Sequence, residues 1–472
     1  MRQVDAPQPD PQTSAHPIGA GFVDALRDEL KVFGRLSGPM LISQMSQMLM
    51  GTIDVVMAGR LSALDLAAVA LGSSVLWPVF FLLVGPVLAL GPVCAQLHGA
   101  KRYQKAGYTT RQGLMLAGVI SLIGFLVLYN SHLLLGLFGV PEDTLAITAD
   151  YLRAVSWSAW GLTFFTALRN YSEAANLTIP VSVLAASIAL LNIPANYVFM
   201  YGKLGFPAMG AVGCGVATSL LCALLALIML IIVVRLRYYK PHRLFRSWQR
   251  PDLSVMRELC QIGLPMGLSI FIEITIFSGA AILISTLGET VVAGHQIALN
   301  FAGITFMLPL AVGLGATVRI GNLIGAGQPL RAVFAARVAI GITMLIALMN
   351  FSVLYFLAEE IVALYGPPEA VAAIAVVLFV YAAAFQIPDG LQVCYVCILR
   401  GHKITMFTLW TMMVGYWFIG LPVGWILGMS DWWGPAQGAE GMWKGMIAGL
   451  IAVFLMLAVR LRMQTRRLLA AG

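Results

Sequence analysis

A carboxylate at the centre of a membrane-spanning helix costs roughly 2.5 to 3.5 kcal/mol, so one found there needs a partner or a task. Three lie in apolar runs of this chain: Asp54 in Gly51-Thr52-Ile53-Asp54-Val55-Val56-Met57, Glu273 in Phe271-Ile272-Glu273-Ile274-Thr275, and Asp389 in Gln386-Ile387-Pro388-Asp389-Gly390. Such groups suit reversible binding of a proton or a small cation, and the plainer alternative is a structural carboxylate satisfied by its neighbours.

Other polar residues fall where they could join them. Gln386, Asp389 and Gln392 recur every three residues, near one helical face. Pro388 cannot donate to the carbonyl of Ala384, which predicts a kink and a backbone acceptor free for a cation or water. Asn192 and Asn196 are four apart around Pro194. Counting about 1.5 Å per residue, Asp54 and Asn196 lie at similar depths, about 30 Å and 27 Å along their helices, and Thr218 can reach that level from the other direction. Hydrogen bonding between helices would also explain the two asparagines. Ser74, Gln296 and Asn300 offer neutral hydrogen bonds to cargo, and Met40, Met45, Met48, Met50 and Met57 give one helix a polarizable surface, unless they simply face lipid or core.

The elements that must position these residues are helices in a bilayer. Of 472 residues, 60% are hydrophobic and 11% charged, far from the mix of a water-soluble domain. Segments such as 36–53, 114–135, 181–200, 212–234 and 338–357 approach or exceed the roughly 20 residues needed to cross a bilayer. The pattern predicts an all-α integral membrane protein with twelve transmembrane helices near 34–58, 66–98, 107–137, 143–174, 178–202, 210–236, 255–287, 291–325, 331–360, 366–400, 404–428 and 438–463. The long blocks 66–98 and 366–400 should tilt, kink or project into solvent.

Residues 1–33 read as a polar cytoplasmic tail, with no signal-peptide pattern. Six cysteines in or beside apolar stretches predict no disulfide framework, and Cys394-x-x-Cys397 lacks the partners of a metal or redox motif. The net charge of +8 does not point to nucleic acid, because the basic residues cluster on alternate loops. Lys101, Arg102, Lys105 and Arg111, then Arg235 to Arg250, then Arg460 to Arg467 belong on the cytoplasmic side, while Glu142, Asp143, Glu359, Glu360, Glu369, Asp431 and Glu440 face outward. Both termini are then cytoplasmic, in a multi-pass protein of the inner (plasma) membrane.

The chain also repeats itself. Gln96-Leu97-His98-Gly99-Ala100 resembles Asn322-Leu323-Ile324-Gly325-Ala326, and Pro39-Met40 matches Pro265-Met266, both pairs 226 residues apart. Leu137-Phe138-Gly139-Val140-Pro141-Glu142 resembles Leu364-Tyr365-Gly366-Pro367-Pro368-Glu369 at an offset of 227, and Gly210-Ala211-Val212-Gly213 resembles Gly438-Ala439-Glu440-Gly441 at 228. Six helices is an even number, so the repeats are parallel, related by an axis along the membrane normal. The expected units are an N-terminal lobe 34–236, a basic linker 237–254, a C-terminal lobe 255–463 and a tail 464–472, with a substrate site between the lobes.

At these residues the chain resembles the multidrug and toxic compound extrusion family (MATE), in its NorM-type branch. The likeness rests on Asp54-Val55-Val56-Met57-Ala58-Gly59, Pro92-Val93-Cys94-Ala95-Gln96-Leu97, Asn192-Ile193-Pro194-Ala195-Asn196, Gly213-Cys214-Gly215-Val216-Ala217-Thr218, Glu273-Ile274-Thr275, His295-Gln296-Ile297-Ala298-Leu299-Asn300-Phe301 and Leu399-Arg400-Gly401. It implies antiport of Na⁺ or H⁺ against cationic, amphipathic drugs and dyes. The family's amino-terminal acidic site then falls on Asp54, Asn192, Asn196 and Thr218, and its carboxy-terminal cation site, a candidate for Na⁺, on Glu273 and Asp389. Ser74 and Gln296 match drug-contact positions, and Asn300, Gln386 and Gln392 are further candidates for cargo. Related members often carry Tyr where this chain has Phe385, which removes an oxygen ligand. No cofactor is expected beyond the coupling ion, and the partners are small organic cations and membrane lipids, met by a monomer. The nearest alternative is a lipid or glycolipid flippase, which would favour a basic cavity; Arg319 is the main deep cation. No Ser-His-Asp, His-Glu-x-x-His or phosphate-loop pattern suggests an enzyme.

Overall fold

Away from water every backbone N–H and C=O must find a partner within the chain, and a helix does this with local bonds alone. The computed structural model describes residues 21–137, 141–244 and 250–471, and among them there is no strand. Ten helical segments are long and apolar enough to cross a membrane. They are α2–α3 (Ala63–Leu88 and Leu90–Gly99), α4 (Tyr103–Asn130), α8 (Ile179–Tyr201), α9 (Gly210–Arg235), α10 (Leu253–Ser285), α11 (Glu289–Gly325), α12 (Pro329–Phe356), α14 (Glu369–Gly401), α15–α16 (Met406–Met412 and Leu421–Met429, joined by a π-helix Met413–Gly420) and α17 (Ala439–Ala471). Two further long segments are α1 (Phe22–Gly59) and α6–α7 (Glu142–Ser156 and Ser158–Ala174), the second interrupted at Trp157. The short α5 (His132–Leu137) and α13 (Ala358–Tyr365) precede loops.

The expected long block 66–98 is broken at Ala89, between Pro86 and Pro92. The polar tail expected over 1–33 is corrected from residue 22 onward, because α1 begins at Phe22 and buries Glu29 and Phe33. The charged turn Arg27-Asp28-Glu29 looked solvated, but the helix carries Glu29 against Arg319 of α11, whose Nε donates to Oε2 at 2.9 Å and Nη2 to Oε1 at 2.5 Å. Residues 1–20 of that tail, Phe138 to Val140 of the repeat, Arg246 of the linker and Gly472 of the final tail lie outside the described residues.

The repeated motif meets itself. A methyl added at Gly99 would overlap the backbone of Asn322, 2.6 Å from its carbonyl carbon and 2.8 Å from its Cα, and one at Gly325 would stand at the same distances from the corresponding atoms of Gln96. Only residues without a Cβ allow so close an approach. Around this reciprocal contact, Gln96 Nε2 donates to the Gly401 carbonyl at 2.9 Å and Asn322 Nδ2 to Asn176 Oδ1 at 3.2 Å. Farther along, Gly85 of α2 lies against Gly263 and Gly267 of α10, and Ser37 of α1 against Gly315 of α11. These contacts sit toward the end of the bundle that carries the basic loops.

The chain between α9 and α10 is fastened to that same end. Its 3₁₀ turn Arg237–His242 places the His242 ring 5.9 Å from His98, 5.2 Å from Tyr103 and 5.4 Å from Tyr171. Asp252 caps α10 by accepting from Ser254 N and Val255 N, and Tyr108 Oη donates to it at 2.6 Å. The bonds from Ser254, then from Tyr108, hold its carboxyl down at about 2.

Candidate functional site

Asp54 lies toward the far end of α1, which packs on α8, and α8 packs on α9. The four-residue spacing brings Asn192 and Asn196 to one face of α8 despite Pro194, and Thr218 comes from α9. Asn192 Nδ2 donates to Asp54 Oδ1 at 3.0 Å and Asn196 Nδ2 to the same oxygen at 2.6 Å. Thr218 Oγ1 donates to Oδ2 at 3.3 Å. Cys214, one turn before Thr218, also turns its thiol to Asp54, a neighbour the sequence reading missed though it stands in the same Gly213-to-Thr218 stretch. Asp54 is 8% exposed and both asparagines are fully buried, so the carboxylate trades water for this ring of donors. Asn196 Nδ2 also reaches Asn192 Oδ1 at 3.2 Å, whereas Asn196 Oδ1 has no partner.

The second acidic pair is built differently. Glu273 on α10 is half-buried and Asp389 on α14 is 4% exposed, and among the described residues neither accepts a hydrogen bond. Asp389 lies within electrostatic reach of Glu273, which also feels the buried Arg400, and both carboxylates act on the Tyr416 hydroxyl, buried without a partner. Sequence reasoning missed Tyr416 because it rides on the π-helix. Gly420, Gly424 and Gly428 face Gly441, Gly445 and Gly449 of α17 at four-residue steps, the close small-residue packing of membrane helices. Gly415, which also lies against Gly449, is five residues before Gly420, and the wider π-turn absorbs the extra residue. Pro422 supplies a cause, since it offers no N–H to Phe418.

Two of the candidates on α14 are buried in this arrangement. Gln386 and Gln392, read as cargo contacts, are 1% and 0% exposed. Gln386 Nε2 donates to Thr305 Oγ1 at 2.9 Å and to the Ala302 carbonyl at 3.2 Å, and its Oε1 accepts from Asn350 at 3.3 Å. It joins α11, α12 and α14. Gln392 turns into the bundle with both polar atoms unpartnered. Phe385, at the position of the absent hydroxyl, packs edge-on against Phe277 and Trp443. The residues near Glu273 and Asp389 offer hard oxygens fit for Na⁺ or a shared proton, and among the described residues no three His, Cys, Asp or Glu gather as a metal site.

Ser74, Gln296 and Asn300 are exposed. The Ser74 hydroxyl is spent on the Leu71 carbonyl at 2.7 Å, and Asn300 Oδ1 accepts from Tyr365 at 3.0 Å. Met45 is exposed, Met48, Met50 and Met57 half-buried, and Met40 is core. A further ion pair in α7 went unread: Arg169 Nε donates to Glu173 at 2.8 Å and its Nη2 to Gln44 of α1 at 2.7 Å. The signal available was Arg and Glu four apart in a helix.

The MatE family model matches residues 39–198 and 265–426. The multidrug resistance protein PmpM of Pseudomonas aeruginosa is 41% identical, over 96% of this chain and 95% of its own length. The probable multidrug resistance protein NorM of Idiomarina loihiensis is 37% identical, covering 93% and 96%. MdtK of Yersinia enterocolitica, also named a multidrug resistance protein, is 39% identical over 90% and 94%. Among solved structures, an outward-facing multidrug resistance MATE family transporter aligns with a TM-score of 0.85 at 19% identity, covering 94% of this chain and 98% of that one. The eukaryotic transporter AtDTX14 gives a TM-score of 0.83 at 20% identity over 94% and 99%.

Proposed function

Because this chain belongs to the multidrug and toxic compound extrusion family, we propose that it is a Na⁺- or H⁺-coupled antiporter exporting cationic, amphipathic drugs and toxic organic compounds by alternating access. In this reading α1 and α6–α7 join the ten apolar segments as twelve crossings, in two parallel six-helix lobes, 34–236 and 255–463, linked by 237–254. The two stretches matched by the family model begin 226 residues apart, at 39 and 265, which supports the repeat. The reciprocal Gly99–Asn322 and Gly325–Gln96 contacts support a pseudo-twofold axis along the membrane normal. The basic end and both termini face the cytoplasm of the inner membrane. The seal around Gly99 and Gly325 then closes the cytoplasmic side, so the arrangement is outward-facing.

The observation that carries coupling is the ring of donors around Asp54. As an anion the carboxylate draws α1, α8 and α9 together. A proton or cation weakens that pull, because the neutralised group no longer attracts the Asn192, Asn196 and Thr218 donors as strongly. The two states favour different helix arrangements, the differential interaction any coupling ion needs. One monovalent ion entering down about 100 mV releases about 2.3 kcal/mol, enough for a roughly 50-fold gradient of a neutral substrate. Exchange for a monocation is electroneutral, so only the ion's concentration gradient drives it.

The alternative, a flippase for anionic headgroups, loses its main residue, because Arg319 is engaged by Glu29 rather than free for cargo. The test is dye efflux from energised everted vesicles, with Na⁺ and pH jumps applied separately. Asp54→Asn should insert at normal level yet export at least tenfold more slowly. Unchanged ion-driven efflux in that variant would overturn the coupling role.

A further inference from the structure

At the basic end of the bundle α12 and α17 run side by side, with α14 behind them, and leave a cavity of about 340 Å³. Its walls are set by helical spacing. Val333, Ala336, Arg337 and Ile340 form one flank of α12, while Ala458, Leu461, Arg462, Thr465, Arg466 and Leu469 form one flank of α17. Tyr395 of α14 forms part of the lining, its ring edge-on to Phe454 at 5.5 Å.

Arg337, Arg462 and Arg466, all exposed, therefore line one opening. Among the described residues none of them has a hydrogen-bond or ion-pair partner. Their neighbours differ: Arg319 is held by Glu29, Arg331 lies 4.0 Å from the same carboxylate, and Arg460 lies over the Phe407 ring at 5.7 Å. Three unpaired cations converging on one concavity repel one another unless an anion sits among them.

The position says which anion. Outward along α17 the exposed residues are Val459, Leu455 and Ile451, and along α12 they are Met344, Leu345, Leu348 and Met349. Both faces are apolar through the length that can cross the bilayer, and both end at the arginines. A free phosphate would use the cations alone, whereas the apolar stripes bring acyl chains to the same opening. A phospholipid uses both, its phosphate at the arginines and its acyl chains along the stripes.

We infer that the cavity between α12 and α17 is a binding site for an anionic phospholipid headgroup, held by Arg337, Arg462 and Arg466 with Thr465 and Tyr395 as hydroxyl donors. It recognises phosphate with net negative charge and so prefers phosphatidylglycerol or diphosphatidylglycerol to phosphatidylcholine. It is separate from Asp54, Glu273 and Asp389, and depends on the helices crossing a bilayer rather than on which ion or cargo is carried.

The test uses the full chain in detergent, with retained lipid read by native mass spectrometry after mixing with equal phosphatidylglycerol and phosphatidylcholine. One arm adds 10 mM inorganic phosphate as a chosen competitor. Each arginine at an anionic surface is worth about fivefold, so Arg337→Gln, Arg462→Gln and Arg466→Gln together should lower the preference for phosphatidylglycerol by on the order of 100-fold. Arg467→Gln, a neighbouring charge outside the lining, should leave it within about twofold, and phosphate should fail to displace the lipid. A wild-type protein without preference overturns the inference, as does an undiminished preference in the triple variant. An equal loss in Arg467→Gln would mean diffuse surface charge, and displacement by phosphate would mean a small-anion site; either result overturns it too. Dye efflux and melting temperature establish that each variant is folded.

Discussion

The reciprocal glycine contact sets a magnitude for the seal proposed on the cytoplasmic side. In Gly325→Ala the new methyl would lie 2.8 Å from Gln96 Cα and 2.6 Å from its carbonyl carbon, where carbons normally keep about 3.5 to 4.0 Å. The obstructing atoms are helix backbone, so no side-chain rotation relieves the clash. The helices must part by roughly 1 Å, and overpacking of this kind costs about 1 to 3 kcal/mol. If the seal opens during transport, the open state does not bear that cost. The balance should shift toward the inward-open form by about 5- to 150-fold. Gly99→Ala meets the same distances at Asn322 and should have the same effect. Because one separation relieves both clashes, the double variant should fall well short of the sum. The readout is maleimide labelling of Ala95→Cys, which is fully buried and faces Gly321, in inside-out vesicles of a chain lacking its native cysteines. Wild-type labelling and efflux in both single variants would show that this contact is not the seal.

Two other perturbations act at the same end. Glu29→Gln leaves Arg319 without its counter-charge; breaking a buried pair costs about 3 to 5 kcal/mol, less here because the Arg319 side chain is 19% exposed. Ala95→Cys labelling should rise in Glu29→Gln and recover in part when Arg319→Gln is added, and an inert single variant would refute the latch. His242 titrates the linker clamp: burial, and then His98, pushes its imidazole from 6.5 down to about 4. Between those values the released turn binds more protons than the docked one, so docking weakens as pH falls through that window. Protease cleavage between residues 243 and 250 should increase from pH 7.5 to pH 5, less steeply in His242→Gln, and pH-independent cleavage of the wild type would sink the idea.

The cluster at Asp54 was legible because helical rise is stiff. A count of residues put Asp54 and Asn196 at similar depths with Thr218 within reach of that level, the four-residue spacing put Asn192 on the face of Asn196, and the structure brings the four into contact. Which way a face points was not legible. Gln386, Asp389 and Gln392 do share a side of α14, but that side turns into the bundle, and three-residue spacing cannot tell a cleft from a core. Glu29 was misread because charge suggests solvent, and its partner lies 290 residues away. Tyr416 was beyond reach for a subtler reason. Its direction depends on the π-turn that brings Gly415 and Gly420 to the same neighbour, a register change that alters one element and leaves no periodic mark.

The repeat and the sites obey different rules, and the difference bears on mechanism. An offset of 226 carries Gln96 and Gly99 onto Asn322 and Gly325, which meet symmetrically. The same offset carries Asp54 onto Ala280, and Glu273 back onto Gln47. The packing surfaces are duplicated, then, while the carboxylates are not. Two surfaces that close on each other about an axis must match, so a change to one is felt by both. A buried charge has no such need, and a second copy of Asp54 would add another desolvated carboxylate with its own demand for donors. The two acidic clusters differ accordingly: Asp54 is fully served by amides and a hydroxyl, whereas Glu273 and Asp389 lie beside the unpartnered Tyr416 hydroxyl. Loss of charge at Asp54 releases donors already directed at it, whereas Glu273 and Asp389 have no such hydrogen bonds to release. On the coupling proposed above, the first lobe therefore responds to loss of negative charge, and the second supplies ligands to the ion.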